Sequence, residues 1–158
     1  MRSSIAIGAV AAALLAPAAQ AAEPSTGYVG ADRLSQAWSG EAYGQPFKGL
    51  PELQQRCDAP FCDEFTLEVR DVGRLTILAN VPDSAQFVDL EVLRPDGVTE
   101  RIDGNEEDDF AKLEIPAAAK GRYRIRVWPN KLPVLYQPQY TGSAKLVLPP
   151  PPKPAQGA

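Results

Sequence analysis

The sequence contains no histidine, and only two cysteines and one methionine occur among its 158 residues. Without imidazole, the chain lacks the base of Ser-His-Asp and Cys-His catalysis and the usual nitrogen ligand of zinc sites. The sequence also has no Gly-rich loop that could cradle a phosphate. Paired carboxylates, as in glycoside hydrolysis, are the catalytic chemistry that remains.

Asp89 and Glu91 are the acids that could form such a pair. They lie two residues apart on a predicted strand, so their side chains share one face at a separation of about 7 Å. A solvated outer sheet face explains this spacing better than a catalytic pair does. We therefore predict no catalytic residues and expect that the protein is not an enzyme.

Residues 1–21 have the three parts of a secretory signal peptide. Arg2 is followed by the apolar run Ile5–Ala16 and by Ala19-Gln20-Ala21, an Ala-x-Ala cleavage site. The alternative, a membrane anchor, needs roughly 20 apolar residues, and this run is shorter. No cysteine lies directly after this run, where a lipid would be attached. We expect cleavage after Ala21, a secreted, periplasmic or cell-envelope location, and no membrane insertion afterwards.

Charge narrows the class of partner. Arg2 is the only charged residue of the leader, so cleavage changes the formal net charge from −4 to −5. Binding to nucleic acid depends on Lys and Arg that neutralise phosphates. An acidic chain of this kind is a poor partner for nucleic acid. We expect an unidentified extracellular protein or glycan as partner.

Cys57 and Cys62 enclose the four residues Asp58-Ala59-Pro60-Phe61. In an exported chain, two cysteines are expected to pair. The alternative is a redox-active dithiol, but the spacing is four residues instead of two, and no basic residue in the loop would lower a thiol pKa. We predict a structural disulfide.

From Glu64 onward, apolar and polar residues alternate with a period of two, which is typical of half-buried strands. Strands are predicted near residues 64–70, 74–79, 87–93, 98–102, 110–115, 122–127 and 140–148. Arg94-Pro95-Asp96-Gly97 suits a type I hairpin turn. About seven to eight short strands without a helical period predict an all-β fold, an antiparallel β-sandwich of jelly-roll or Greek-key type. The sandwich is predicted at 57–148, between an extended lead-in at 22–56 and a Pro-rich tail at 149–158.

An acidic stretch lies between two of these strands. Its oxygen-bearing side chains suit calcium, which takes six to eight oxygen ligands. No cofactor is required by the sequence, and calcium is the one that it suggests. The predicted donors are Asp103, Asn105, Glu107 and Asp109, with Asp83 or Asp89 as further donors. The alternative is a solvated acidic hairpin tip.

Aromatic side chains could form a sugar-binding platform on such a sandwich. The predicted ligand surface consists of Trp128, Tyr136 and Tyr140, with Trp38 and Tyr43 as further candidates. If the alternation continues to the end of its strand, Trp128 lies on the polar face with Arg124 and Arg126. The alternative is that the Pro-rich loop that follows covers Trp128.

The order of the motifs carries a family resemblance. It begins with Cys57-x4-Cys62-Asp-Glu-Phe-Thr-Leu-Glu-Val69 and Gly73-Arg-Leu-Thr-Ile77, and continues with Asp89-Leu-Glu-Val-Leu-Arg-Pro-Asp-Gly97, Gly121-Arg-Tyr-Arg-Ile-Arg-Val127 and Tyr140-Thr-Gly-Ser-Ala-Lys-Leu146. Residues 57–148 thereby resemble the bacterial pre-peptidase C-terminal domain. The resemblance implies a jelly-roll-like sandwich that accompanies a peptidase or another enzyme and is not itself catalytic. The expected function is a secreted interaction or accessory module; the alternative is a carbohydrate-binding module that works in trans with a separate hydrolase.

Overall fold

The computed structural model describes residues 22–42, 63–82, 88–102, 104, 110–129 and 139–151. These residues form nine β-strands. The strands are β1 (Thr26–Val29), β2 (Ser35–Glu41), β3 (Asp63–Val69), β4 (Gly73–Asn80), β5 (Val88–Leu93), β6 (Thr99–Ile102), β7 (Phe110–Ala118), β8 (Gly121–Pro129) and β9 (Gln139–Val147). Within the described ranges, no helix is long and apolar enough to cross a membrane.

The strands form two sheets with jelly-roll connectivity. One sheet has the order β1-β3-β8-β5-β6 and the other has the order β2-β9-β4-β7. The antiparallel pairs β2–β9, β3–β8, β4–β7 and β5–β6 are nested inside one another along the chain. A long hairpin that is folded over in this way produces the two four-stranded layers of a jelly roll. The predicted all-β sandwich is therefore confirmed.

The core lies between the two sheets and follows the predicted alternation. On β3, Phe65 and Leu67 are fully buried, and Ile125 on β8 lies directly opposite Phe65. Leu75 and Ile77 on β4 line the other sheet and are also fully buried. Because successive side chains of a strand point to opposite faces, the same strands present their polar residues to the outside.

The lead-in predicted at 22–56 is corrected in its described part, residues 22–42. β1 pairs in parallel with β3, and β2 pairs antiparallel with β9, so this segment supplies one strand to each sheet. The ring of Trp38 on β2 stacks on Phe65 with ring centroids 4.1 Å apart. The sandwich therefore begins with β1 and not at residue 57.

The turn between β5 and β6 has the predicted form. The Gly97 N–H donates to the Arg94 carbonyl at 3.0 Å, and the Arg94 N–H donates to the Val98 carbonyl at 2.9 Å. Gly97 has a φ of 84°, a conformation that glycine adopts without the steric cost that a Cβ would add. The Pro at the second position and the Gly at the fourth thus close the hairpin, as the sequence predicted.

Candidate functional site

The two described members of the predicted aromatic surface are buried. Trp128 and Tyr140 each expose only 2% of their area. The guanidinium of Arg101 lies 4.9 Å from the centre of the Trp128 ring, on the outer face of the sheet. Tyr140 points between the sheets, where its hydroxyl donates to Asp63 at 2.7 Å. The expectation of an exposed platform is therefore corrected for both residues, and Tyr136 lies outside the described residues, as does Tyr43.

The predicted calcium ligands Asp103, Asn105, Glu107 and Asp109, the further donor Asp83, and the predicted disulfide of Cys57 and Cys62 lie outside the described residues. Asp89, the other further donor, is described. Its carboxylate accepts hydrogen bonds from Arg101 at 2.9 Å and from the Gly104 N–H at 3.0 Å. Within the described ranges, no three His, Cys, Asp or Glu side chains form a group that could hold a metal ion. Calcium binding at residues 103–109 stays a prediction.

A ladder of ion pairs covers the outer face of the five-stranded sheet. Glu64 on β3 accepts two hydrogen bonds from Arg124, at 2.9 and 2.7 Å, and one from Arg126 at 3.0 Å. Arg126 also contacts Glu91 on β5 at 3.1 Å. Burial raises the pKa of Glu64, but the hydrogen bonds from the two arginines outweigh burial and leave that pKa below its usual value. Glu91 is thus engaged by arginine in the ladder, as Asp89 is by Arg101.

Arg122 is the third arginine of the same β8 face, and its situation differs. It is exposed, and it forms no ion pair with any described residue. The residue opposite it on β3 is Glu68, whose carboxylate lies 3.4 Å from Arg70 instead. Among the described residues, carboxylates therefore neutralise the arginines at one end of β8, whereas Arg122 at the other end has no ion pair.

Arg122 borders a groove on β1, β3 and β8 with a volume of about 900 Å³. We call it the Tyr28 groove; its charged and aromatic lining consists of Tyr28, Arg33, Glu68, Arg70 and Arg122. Two guanidinium groups lie over the Tyr28 ring, that of Arg70 at 3.6 Å and that of Arg33 at 5.3 Å from the ring centre. Cations over an aromatic face are stabilised by the ring quadrupole, which holds their charge in place.

The turn that carries Arg33 is fixed by its own backbone hydrogen bonds and by Asp71. Gly30 and Arg33 exchange backbone hydrogen bonds at 2.8 and 3.0 Å. The Asp71 carboxylate accepts the Ala31 N–H at 2.8 Å and the Lys120 ammonium at 3.2 Å. These two hydrogen bonds lower the pKa of Asp71. The turn is thereby ordered before any ligand arrives, which reduces the entropy lost on binding.

Sequence reasoning found part of this groove. The alternation predicted for the strand at 122–127 places Arg122 on the same polar face as Arg124 and Arg126, but it does not distinguish the three. It did not find Tyr28 and Arg33, because the short strand Thr26–Val29 has too few apolar residues to show an alternation. Tyr28 and Arg33, five residues apart in a segment with few apolar residues, are the signal that was available.

Comparison with known proteins gives a fold-level likeness. The pre-peptidase C-terminal domain of a collagenase from Bacillus anthracis superimposes with a TM-score of 0.50 and 13% identity, over 76% of this chain and 94% of that one. PliG, a periplasmic inhibitor of g-type lysozyme from Aeromonas hydrophila, gives a TM-score of 0.44 and 16% identity over 78% and 96%. The mitogen YPM from Yersinia pseudotuberculosis gives 0.42 and 13% over 75% and 91%.

The fold is thus similar to that of a pre-peptidase C-terminal domain. This agrees with the resemblance found in the sequence motifs. At 13% identity the likeness concerns the fold, since unrelated functions share such folds. No family model matches the chain. No curated protein matches it either.

Proposed function

We propose that this protein is an exported, non-catalytic interaction module that binds a carboxylate-rich polypeptide segment in the Tyr28 groove. The observation that carries this proposal is that Arg33 and Arg122 line an open groove without an ion-pair partner among the described residues. Guanidinium groups bind carboxylates through two parallel hydrogen bonds, which gives such a contact both strength and direction.

The charge of the whole chain makes this groove distinctive. The chain is acidic, with a formal net charge of −4. Elsewhere on the same face the arginines contact carboxylates, as Arg124 and Arg126 contact Glu64. The groove therefore concentrates positive charge on an acidic molecule, and this charge favours a partner segment of opposite sign.

A polypeptide fits the groove better than a neutral sugar does. Sugar rings bind by stacking on exposed aromatic faces, and Arg70 already lies 3.6 Å over the ring of Tyr28. Trp128 and Tyr140 are buried. Among the described residues, the groove thus offers cations and hydrogen-bond donors instead of a platform. A carbohydrate-binding module remains the alternative function, and an acidic glycan is the carbohydrate that these residues would suit.

The fold supports an accessory role. One similar structure is a pre-peptidase C-terminal domain of a collagenase, a domain that accompanies an enzyme. The signal peptide predicted at residues 1–21 would deliver this chain to the compartment where such enzymes act. We propose that the module brings its partner to an exported enzyme, or to the cell surface, without reacting with it.

Fluorescence anisotropy with a labelled ten-residue oligoglutamate tests the proposal. Wild-type protein, Arg122→Glu and Arg74→Glu are compared at about 50 mM and 300 mM salt. Arg74 is an exposed arginine on β4, on the other sheet, and serves as the matched control. We expect Arg122→Glu to weaken binding at least tenfold, Arg74→Glu to leave it unchanged, and salt to weaken binding by the wild type.

A second probe separates the two candidate functions. Oligogalacturonate carries carboxylates on sugar rings, so binding of this probe without binding of oligoglutamate would support the carbohydrate alternative. Equal losses for Arg122→Glu and Arg74→Glu would show that binding depends on net charge alone. In that case the Tyr28 groove is not the binding site.

A further inference from the structure

A carboxylate lies buried between the two sheets, away from the Tyr28 groove. Asp63, the first residue of β3, exposes only 2% of its area. Its Oδ2 accepts the Tyr140 hydroxyl at 2.7 Å, whereas its Oδ1 has no hydrogen bond of ordinary geometry to any described residue. An ionised carboxylate that is removed from water without a full set of partners is costly, so this group requires a further donor.

The titratable groups that face Asp63 do not neutralise it. Burial raises the pKa of Asp63, and hydrogen bonds from Tyr140 and from the Ala22 and Glu64 backbone lower it only in part. The negative charge of Glu41 on β2 raises it further. Burial also raises the pKa of Tyr140, so its hydroxyl stays protonated. None of the described residues supplies a cation to this carboxylate.

The missing donor is adjacent in space. Ala22 is 1% exposed, and its backbone N–H is one of the groups that lower the pKa of Asp63. The next residue, Glu23, exchanges two backbone hydrogen bonds with Ser39 on β2, at 2.8 and 3.0 Å. This bridge keeps Ala22 beside Asp63, because a Cβ built on Gly40, the residue after Ser39, would overlap the Asp63 carboxylate. Ala22 is also the residue that directly follows the predicted Ala-x-Ala cleavage site.

We propose that removal of the leader creates the cation for this site: the new α-ammonium group of Ala22 forms a buried ion pair with Asp63. In this step, which signal peptidase catalyses, water hydrolyses the Ala21–Ala22 peptide bond. Ala21 leaves with a carboxylate, and the nitrogen of Ala22 becomes an ammonium. One amide N–H is replaced by three charged N–H donors, which can reach Oδ1 as well as Oδ2. Processing of the leader thus completes the core of the sandwich.

The proposal depends on cleavage at Ala21 but not on any ligand of the Tyr28 groove. Before cleavage, the pKa of Asp63 is raised in the folded chain. Its contribution to stability is therefore present at pH values below the pKa that Asp63 has in the unfolded chain, and it is lost as pH rises through the raised pKa. After cleavage, the ion pair raises the pKa of the α-amino group above its usual value of roughly 7.7–8.0. The contribution of the pair is then present at neutral pH and is lost as pH rises through that raised pKa.

A thermodynamic cycle tests the pair. Chains of residues 22–158 and 21–158 are compared, each with Asp63 and with Asp63→Asn, by thermal unfolding between pH 5 and 10. Retention of Ala21 moves the ammonium away from the site. In the chains with Asp63, we expect retained Ala21 to lower the unfolding midpoint by about 10 °C at pH 7. In the chains with Asp63→Asn, we expect it to lower the midpoint by less than about 2 °C. Above pH 9, the difference in midpoint between the two Asp63 chains should become smaller. Glu23→Gln, which removes an exposed acid next to Ala22, should leave the effect of Ala21 unchanged.

A chemical measurement covers the case in which Asp63→Asn does not fold. Acetylation by an N-hydroxysuccinimide ester at pH 7, followed by mass spectrometry, reports how reactive each amine is. We expect the Ala22 amine of the 22–158 chain to react at least tenfold more slowly than the Ala21 amine of the 21–158 chain. Equal reactivity, an equal effect of Ala21 in both backgrounds, or a native N-terminus other than Ala22 in the exported protein would each overturn the proposal.

Discussion

Three arginines on the outer face of the five-stranded sheet have similar sequence environments but differ in whether a carboxylate pairs with them. Arg122, Arg124 and Arg126 alternate with buried residues of β8 in the same way. Which of them is neutralised depends on the neighbouring strand β3, where Glu64 pairs with Arg124 and Arg126. At the residue scale, partner geometry therefore separates a structural arginine from one that is available to a ligand.

Glu64→Gln tests the structural part of this ladder. The two arginines hold the pKa of Glu64 below its usual value, so its stabilising contribution is present above about pH 5 and is lost as pH falls through the lowered pKa. Because Glu64 is about one-third exposed, solvent screens the pair, and we expect a loss of about 1 kcal/mol at pH 7. Urea unfolding at pH 7 and pH 3 measures it, and the difference between wild type and variant should narrow at pH 3. A constant difference would mean that the charge of Glu64 does not matter.

At the scale of the elements, β2 adds one large side chain to the core besides its backbone pairing with β9. Trp38 stacks on Phe65 of the opposite sheet, and its indole occupies the space beside Gly142 on the neighbouring strand β9. A Cβ at Gly142 would overlap that indole. The contribution of β2 to the core therefore depends mainly on one aromatic ring and on the glycine that makes room for it.

Gly142→Ala tests this attachment. The added methyl group forces Trp38 out of its position, and such overpacking costs about 1–3 kcal/mol. Near-ultraviolet circular dichroism should report the altered indole environment, and urea unfolding the loss of stability. Thr141→Ala, on the exposed face of the same strand, is the control. Retention of both the spectrum and the stability by Gly142→Ala would mean that β2 is held mainly by its backbone ladder to β9.

For the whole molecule, the two N-terminal strands decide where the folding unit begins. β1 covers one edge of the five-stranded sheet, and β2 covers the β9 edge of the other. Without them, Phe65 loses its stacking partner and β9 exposes an unpaired edge. Unpaired edges and exposed core side chains promote association between chains.

A truncation measures this contribution. Residues 57–158 contain the whole sandwich that the sequence predicted, whereas residues 22–158 contain β1 and β2 as well. We expect the longer chain to unfold cooperatively. The shorter chain should bind the dye ANS, aggregate at micromolar concentration and lack a cooperative transition. A cooperative, monomeric 57–158 chain would restore the boundary at residue 57.

The sequence by itself determined the all-β class, the seven strands from Glu64 onward and the Arg94–Gly97 turn. In a strand whose alternate residues are apolar, the sequence itself indicates which face is buried. The conformation of a turn depends on residues that are adjacent in sequence. The tertiary structure alone decided the roles of β1 and β2, because Thr26–Val29 and Ser35–Glu41 owe their strand pairing to neighbours that are distant in sequence. It also buried Trp128 and Tyr140, left Arg122 without an ion pair to any described residue, and brought Ala22 close to Asp63. Each of these outcomes depends on which side chains are neighbours on different strands. The sequence alternation indicates only the face on which a residue lies and therefore could not predict them.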